Sequence, residues 1–505
     1  MLFGFDTNER GGPADDLISL VITKQLDSPF GRATLNFVPR EPVAGYNWAD
    51  LIPSYSLIEI FLSHAPIAPE PVLVFLGLTG ARIESANWEQ AAPERQVQVA
   101  ARELTCIFVD QKALYLPVRP ELLRPDIAKT PFTDALGRGS VQPATETLKV
   151  GEGKTIQQLV LPATASPALT LKDNMVAIDP ILAKVGESPV DAIANFVKMV
   201  TVGLKSDYNP TAMPLLNLGL FDAALRGLLF FDREKAKGQL FDPLAALPAA
   251  AQVSTDSDLW QIMSGFVDPH YQELFAVPRD QNSPQREVEV LSPSAMEVIF
   301  RKPPFGGRIT GGGELIGIRD HSGSQFDREF ETDPVENVAI SDQHLLNSSL
   351  LRSEDAVQNL FYIQPGVPSI NTPEDWRAIH SPLIDLDPLA PSSARRFGLR
   401  LQQWADYYLH QAGDSAADPR FDPEQRARVR ELMVYHWHRF EPLFYRGHYG
   451  LVGNPFMQVG KRAVHKGLGV SREYYIAAVT HSLTIGTQRP RYTTTIGVER
   501  GWPIY

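Results

Sequence analysis

The residue groups able to do chemistry are short and widely separated. Gly306-Gly307-Arg308-Ile309-Thr310-Gly311-Gly312-Gly313 has the glycine content of a loop that cradles phosphate. A P-loop, however, ends in Gly-Lys-Ser/Thr, which brings an ammonium to the phosphates and a hydroxyl to magnesium. Glu314-Leu315 stand there instead, so a glycine-rich turn is expected. His436 and His438 imitate a His-x-His metal pair. On a helix, residues two apart point about 200° apart and cannot share an ion. Asp320-His321-Ser322 supplies the residue types of a hydrolase triad, but a triad is defined by spatial convergence, which adjacent residues seldom achieve. His481-Ser482 falls in an expected strand, where neighbours face opposite sides. Asp15-Asp16 and Asp385/Asp387 are paired carboxylates in an acidic chain, with nothing to set them across a glycosidic bond. Trp260, Trp376, Trp404 and Trp437 lie among apolar residues and are expected in the core rather than on a sugar-binding face. Trp502-Pro503 is the exception, placed to dock on a neighbouring subunit. No catalytic, cofactor-binding or metal-ligating residue is assigned.

Composition narrows the classes further. At 505 residues the chain exceeds what one core usually holds, so several domains are expected. Cys106 is the single cysteine, which excludes an intrachain disulfide and a multi-cysteine zinc site. Against 47 basic residues stand 59 acidic ones, a net charge of −12 that argues against a protein gripping nucleic acid. No run approaches the roughly 18 apolar residues of a membrane span, so no stable membrane insertion is expected. Met1-Leu2-Phe3-Gly4 begins neither a signal peptide nor a myristoylation site, and synthesis in a cytosol is the expectation.

The elements that position these residues are mainly strands. Leu17–Leu26 alternates with Ile18, Leu20 and Ile22 on one face, turns at Ser28-Pro29-Phe30-Gly31, and returns as Ala33–Val38 with Leu35 and Phe37 inward. Trp48–Pro53 precedes a third strand at Leu57–Leu62; Val72–Leu78 is a fourth. Val97 and Val99 mark a fifth, ahead of Leu104–Val109. Short strands separated by Pro and Gly at near-regular spacing predict a closed or nearly closed antiparallel barrel. Pro117–Thr170 reads as a connector. Pro189–Lys205 is helical by pattern through Ala192, Phe196 and Val200, and Ala212–Lys237 and Asp256–Phe275 add apolar segments of helical type. A long helix is expected over Ser393–Gln411, where Phe397, Leu401, Trp404 and Tyr408 form a stripe, and another from Asp422-Pro423 to about Phe440. Near the end, Gly450–Lys461 holds a Gly-Asn-Pro turn feeding a strand with Phe456 and Val459. Tyr474–Ser482 and Tyr492–Gly501 then read as a β-hairpin. In its second arm Tyr492, Thr494, Ile496 and Val498 share one face and Thr493, Thr495, Gly497 and Glu499 the other.

The order Gly-x-x-Gly-Asn-Pro-x-x-x-Val-Gly (from Gly450), Tyr-Tyr-x-x-x-Val-x-His-Ser (from Tyr474) and Tyr-x-Thr-x-Ile-x-Val-x-Arg-Gly (from Tyr492) resembles the C-terminal barrel of phage baseplate hub proteins of contractile tails. Relatives of that family occur in type VI secretion spikes and extracellular injection systems. Further stretches agree: Ser257–Phe275, the Val298–Phe305 strand with Arg301 and Pro303, and Val338–Ile363 with Ile340-Ser341 and Asn359. The resemblance implies a mainly β fold with α insertions (α+β): two tail-tube-like antiparallel β-barrels plus a mixed, helical middle region. Its expected division is 1–125 for barrel I, 126–290 for a connector and mixed region, and 291–370 for the first strands of a discontinuous barrel II. A helical insertion over 371–444 and the closing strands of barrel II over 445–505 complete it. No hydrolase domain is expected beyond the Arg500-Gly501 strand end.

The same resemblance implies a homotrimer with no enzymatic activity and no cofactor, at the virion tail baseplate, assembled in the host cytoplasm. Its implied partners are the tail tube protein, the central spike protein and baseplate wedge proteins, with DNA passing through the lumen without specific binding. The hub of a phage-derived injection particle is a second reading. A β-rich cell-wall hydrolase or carbohydrate-binding tail protein is a third, of another class, and predicts a concave pocket with converging polar groups.

Overall fold

The structure is a computed structural model. It describes residues 16–39, 45–64, 67–87, 94–110, Val190, Asp191, Ile193, Ala194, Val197, 228–239, 258–265, Val267, 271–280, 294–301, Pro303, 308–309, 315–316, 335–355, 357–365, 381–406, 423–467, 469–485 and 490–503. The expected connector at Pro117–Thr170 and most of Ala212–Lys237 lie outside the described residues.

The N-terminal lobe follows the alternation of its sequence. It comprises β1 (Leu17–Gln25), β2 (Arg32–Phe37), α1 (Trp48–Leu51), β3 (Leu57–His64), β4 (Ala68–Asn87), β5 (Glu94–Glu103) and α2 (Cys106–Asp110). Leu20, Ile22, Ala33, Leu35 and Phe37 are buried together with Val97 and Val99, so alternate residues of three neighbouring strands meet in one core. A capping box starts α1: the Asn47 side chain accepts from Asp50 N, and Asp50 accepts from Asn47 N. The helix drops Trp48 into this core, where it stacks on Phe37 at 5.3 Å and donates to Asp16. Cys106–Asp110 is helical, one turn beyond the last strand.

The C-terminal lobe contains β11 (Asn337–Ile340), β12 (Leu345–Leu351), β16 (Tyr445–Val452), β17 (Arg462–Gly467), β18 (Val470–Thr484) and β19 (Arg491–Pro503). β18 and β19 form the expected hairpin, and Tyr492, Thr494, Ile496 and Val498 all point into the core. The Phe456–Val459 segment is a turn rather than the expected strand. Asn454 organises it by accepting from Phe456 N while Thr494 Oγ accepts from Asn454 N, which spends on side chains the bonds a strand would make.

The two lobes share one eleven-stranded sheet, ordered β12-β16-β19-β18-β1-β2-β5-β4-β3, with β17 and β11 attached beside β18. β18 is long enough to serve both. Its first part pairs with β17 (Gly467↔Val470 to Arg462↔Tyr475), and its second with β1 (Gln25↔Ala478 to Ser19↔Thr484). Among the described residues the path does not close by pairing, so of the closed or nearly closed barrel expected from strand spacing a curled sheet is seen, without closure. The curl brings the His64 ring at the far edge within 6.0 Å of Tyr492 from the other lobe.

Smaller units complete the fold. β6 (Leu229–Phe231), β7 (Glu273–Asp280) and β8 (Ser294–Arg301) form a three-stranded sheet in the order β6-β8-β7, with α3 (Arg233–Gln239) and α4 (Leu259–Gly265) beside it. The helical expectation for Ala212–Lys237 and Asp256–Phe275 thus holds for α3 and α4 but fails at β6 and β7, whose apolar runs are completed by pairing to β8. β9 (Arg308–Ile309) and β10 (Leu315–Ile316) make a short hairpin. β13 (Leu360–Pro365), β14 (Leu383–Ile384) and β15 (Leu401–Asp406) form a second small sheet in the order β14-β13-β15. α5 (Ala394–Phe397) joins its strands, and α6 (Pro423–His438) places Val434 and half-buried Tyr435 against the fully buried Phe361.

The long helix expected over Ser393–Gln411 is therefore corrected. Ser393 caps α5, but Gly398 at φ 70° stops it after one turn, and Leu401–Asp406 pairs in parallel with β13. Strands β8 and β13, counted with barrel II in the sequence, belong to these separate sheets, while β11 and β12 do join the C-terminal lobe. The architecture is β-rich α+β.

Candidate functional site

Among the described residues the motifs singled out in the sequence do not converge. Arg308-Ile309 of the glycine-rich stretch pairs with Leu315-Ile316 across a β-hairpin, in keeping with a turn; residues 310–314 and Asp320-His321-Ser322 lie outside the described residues. His438 closes the C-terminal turn of α6, 3.8 Å from Glu441 and stacked on Phe361, a packing role; the side chain of His436 lies outside the described ones. Asp385 is buried and accepts from Ser392 Oγ at 2.7 Å, while Asp387 pairs with Arg439 at 2.8 Å. These carboxylates hold a loop. Asp16 accepts from Trp48 Nε1, and Asp15 lies outside the described residues. Trp260 packs in the core against Phe108, and Trp404 is half-buried against Ile363. Trp376 and the side chains of Trp437 and Trp502 lie outside the described residues. Among the described residues no group of three or more His, Cys, Asp and Glu could hold a metal ion.

His481 sits within the core of the hairpin. Its Nδ1 lies 2.9 Å from the Tyr492 hydroxyl and 3.2 Å from Thr494 Oγ, and the ring also bonds the Met457 carbonyl. Burial pushes its pKa down to about 4, so the imidazole is neutral and acts as a polar rivet between β18, β19 and the Asn454 turn. Ser482, on the opposite face, does not share this cluster.

Sequence reasoning missed a second cluster. Asp342 Oδ1 meets His465 Nε2 at 2.8 Å; His465 Nδ1 lies 3.3 Å from the Tyr449 hydroxyl, which donates to the Tyr474 hydroxyl at 2.9 Å. Carboxylate, imidazole and hydroxyl follow the order of a catalytic triad. Burial, reinforced by the Tyr474 hydrogen bond, raises the Tyr449 pKa far above its usual value, the reverse of what activates a nucleophile. Both tyrosines are almost fully buried. The chain therefore cross-links β17, β16 and β18. Asp342 and His465 are 123 positions apart, and no spacing motif could have joined them.

Ionic clusters secure the lobes and the units between them. Lys24 Nζ on β1 and Glu103 Oε2 on β5 form a buried pair at 2.6 Å, and the same carboxylate accepts from Gly31 N in the β1–β2 turn. Arg301 on β8 bonds Glu273 on β7, the Tyr475 hydroxyl on β18 and the Gly460 carbonyl. It thereby ties the β6-β8-β7 sheet to the C-terminal lobe. Arg279 and Glu297 add a buried pair at 2.8 Å. Lys461, beside Glu336 at 2.9 Å, has its pKa lowered by burial to about 8.

A cleft of about 300 Å³ opens where these units meet, lined by Glu273, Glu441, Arg446, Tyr475, Glu499 and Arg500 among others. Glu273 is held by Arg301 and Tyr475, and Glu441 faces Arg500 at 3.4 Å. Burial raises the Glu499 pKa and lowers that of Arg500. Most of the charges in this cleft are thus spent on one another, and it reads as a joint between packed units. Among the described residues no helix is long and apolar enough to cross a membrane.

No family model and no curated protein matches the chain. Solved structures do. A tail protein from Neisseria meningitidis MC58 is similar at 10% identity and TM-score 0.41, with 96% of this chain and 92% of that one covered. The 43 kDa tail protein of prophage MuSo2 from Shewanella oneidensis is similar at 9% identity and TM-score 0.42, with 96% and 94% covered. An E. coli component of the type VI secretion system, described as structurally similar to bacteriophage T4 tail proteins, is similar at 8% identity and TM-score 0.38, with 97% and 74% covered.

Proposed function

We propose that this chain is the central hub of a contractile-tail baseplate, a structural virion protein that works as a trimer. The shared sheet carries the reading: two strand-rich lobes, each with its own core, are fused through β18 into one unit. Three such chains present six lobes around an axis, so a threefold spike can mate with a sixfold tail tube. The residues behind the family resemblance occupy structural positions suited to this work. Asn454 organises the turn, Tyr475 joins the ionic cluster, His481 rivets the hairpin, and Arg500 pairs with Glu441.

In this role the protein carries out no chemical step. Its buried pairs secure the N-terminal lobe and tie the β6-β8-β7 sheet to the C-terminal lobe, and its net charge of −12 favours a lumen that DNA traverses without being held. The tail tube, the spike and baseplate wedge proteins are the proposed partners, and the tail baseplate the proposed location. Sedimentation and imaging of the purified chain test the proposal. A ring at three times the 56.0 kDa chain mass, with a bore wide enough for a DNA duplex, is expected. A stable monomer that turns over a glycan or peptide would overturn it.

A further inference from the structure

Two of the sheets, the eleven-stranded one along its main path and the β14-β13-β15 one, have four end strands whose surroundings differ in charge. In the eleven-stranded sheet these are β12 and β3; in the β14-β13-β15 sheet they are β14 and β15. β12, Leu-Leu-Asn-Ser-Ser-Leu-Leu, carries no charge. β14 is followed by Asp385 and Asp387, which are committed to Ser392 and Arg439. β3 is acidic and partly apolar: Glu59, Phe61 and Ser63 are exposed along it, Phe61 at 43%, with exposed Glu70 near the start of its partner β4. The approach to β15 is the opposite. Arg395, Arg396 and Arg400 are all exposed just before it, and Leu399 and Leu401 are exposed at 65% and 55%.

The arginine end is built rather than loose. Asn359 accepts from Arg400 N and donates to the Ser392 and Gly398 carbonyls, which fixes the chain on both sides of the arginines. Arg396 and Arg400 both lie over the Phe397 ring, at 4.8 and 5.7 Å, and Arg396 pairs with Glu354 in an exposed bridge of modest strength. Leu401, Leu360 and Ile384 lie side by side in register across the small sheet, so an apolar row continues from the exposed leucines. A basic, leucine-bearing segment, running from α5 to the first residue of β15 in a chain of net charge −12, suits an acidic, apolar counterpart, and the chain itself carries one at β3.

We propose that the Arg395–Leu401 edge of one copy docks against the β3 edge of a second copy, with the arginines facing Glu59 and Glu70 and the leucines covering Phe61. The contact is heterologous, joining unlike surfaces, and closes into a ring when the rotation between copies allows. It covers the β3 edge, which would otherwise invite uncontrolled pairing. This inference rests on the trimeric hub reading and names the surfaces that build the ring.

Charge reversal tests it. The probes are the purified full chain, its Arg395→Glu/Arg396→Glu/Arg400→Glu variant, its Glu59→Arg/Glu70→Arg variant, and the variant combining all five changes, each followed by analytical ultracentrifugation. The wild type is expected at three times the chain mass, and each reversal alone should weaken association at least tenfold. The combined variant, with both charges exchanged, should regain the ring. Thermal melting checks that each variant folds; where a reversal does not, the glutamine substitutions at the same positions are read instead and should weaken association in the same direction. A trimeric wild type with unaffected reversals overturns the assigned surfaces and leaves the hub reading standing. Reversals that dissociate the ring, with a folded combined variant that stays dissociated, also overturn the assignment. A wild type that stays monomeric at tens of micromolar overturns both.

Discussion

His481 offers the sharpest quantitative test of how the C-terminal lobe is held. Its ring is buried with Tyr492, Thr494 and the Met457 carbonyl, and its pKa is pushed down to about 4 from an ordinary 6.5. The folded state therefore refuses a proton that the unfolded chain accepts. In the window between those values the unfolded state binds more protons, so stability rises with pH; it is fully present above about 6.5 and lost as pH falls towards 4. At about 1.4 kcal/mol per pKa unit, lowering the pH from 7 to 4.5 should cost this lobe on the order of 2–3 kcal/mol through this one residue. Carboxylates titrate over the same range, so the measurement is a difference. Urea unfolding of wild type and His481→Gln, followed by hydrogen exchange in peptides from β18 and β19, should show wild type losing that much more stability than the variant. The variant should be less stable at pH 7, where it gives up a well-fitted hydrogen-bonding ring. Equal pH dependence of the two, within about 1 kcal/mol, would refute the claim that the neutral imidazole is a structural requirement.

Three further substitutions probe the other joints. Glu103→Gln leaves the Lys24 ammonium buried without its counter-charge and should destabilise the N-terminal lobe by about 3–5 kcal/mol, read as faster exchange in β1 and β5 peptides. Asn359→Ala removes the side chain that bonds Arg400 N and the Ser392 and Gly398 carbonyls; it should cost roughly 2–4 kcal/mol in thermal melts and raise protease sensitivity between residues 385 and 400. Gly453→Ala places a methyl group on the Tyr492 ring and should cost about 1–3 kcal/mol, with near-ultraviolet circular dichroism reporting a displaced tyrosine.

Much of the strand structure was legible because alternation is a local signal. Tyr492, Thr494, Ile496 and Val498 read as one face and are one face, and Leu35 and Phe37 point inward as their spacing requires. The misreading at Ser393–Gln411 has an equally local cause. Phe397, Leu401 and Trp404 keep helical spacing, yet Gly398 stops the helix and β13 offers Leu401–Asp406 a parallel partner that lies far upstream in the sequence. The polar networks were illegible for a related reason. Glu103 finds Lys24 from 79 positions away and Tyr475 finds Glu273 from 202, distances at which residue spacing carries no information. Sequence patterns revealed which faces turn inward, and only the fold revealed which charged groups meet there.

The order in which this chain can mature follows from the placement of β18. Strand β1 is made long before β18, and one flank of it must wait for Ala478–Thr484. The N-terminal lobe therefore carries an unsatisfied flank until β18 is made, the circumstance in which nascent β-proteins misassociate and engage chaperones. Removal of β18 should accordingly harm the N-terminal lobe as well as the C-terminal one.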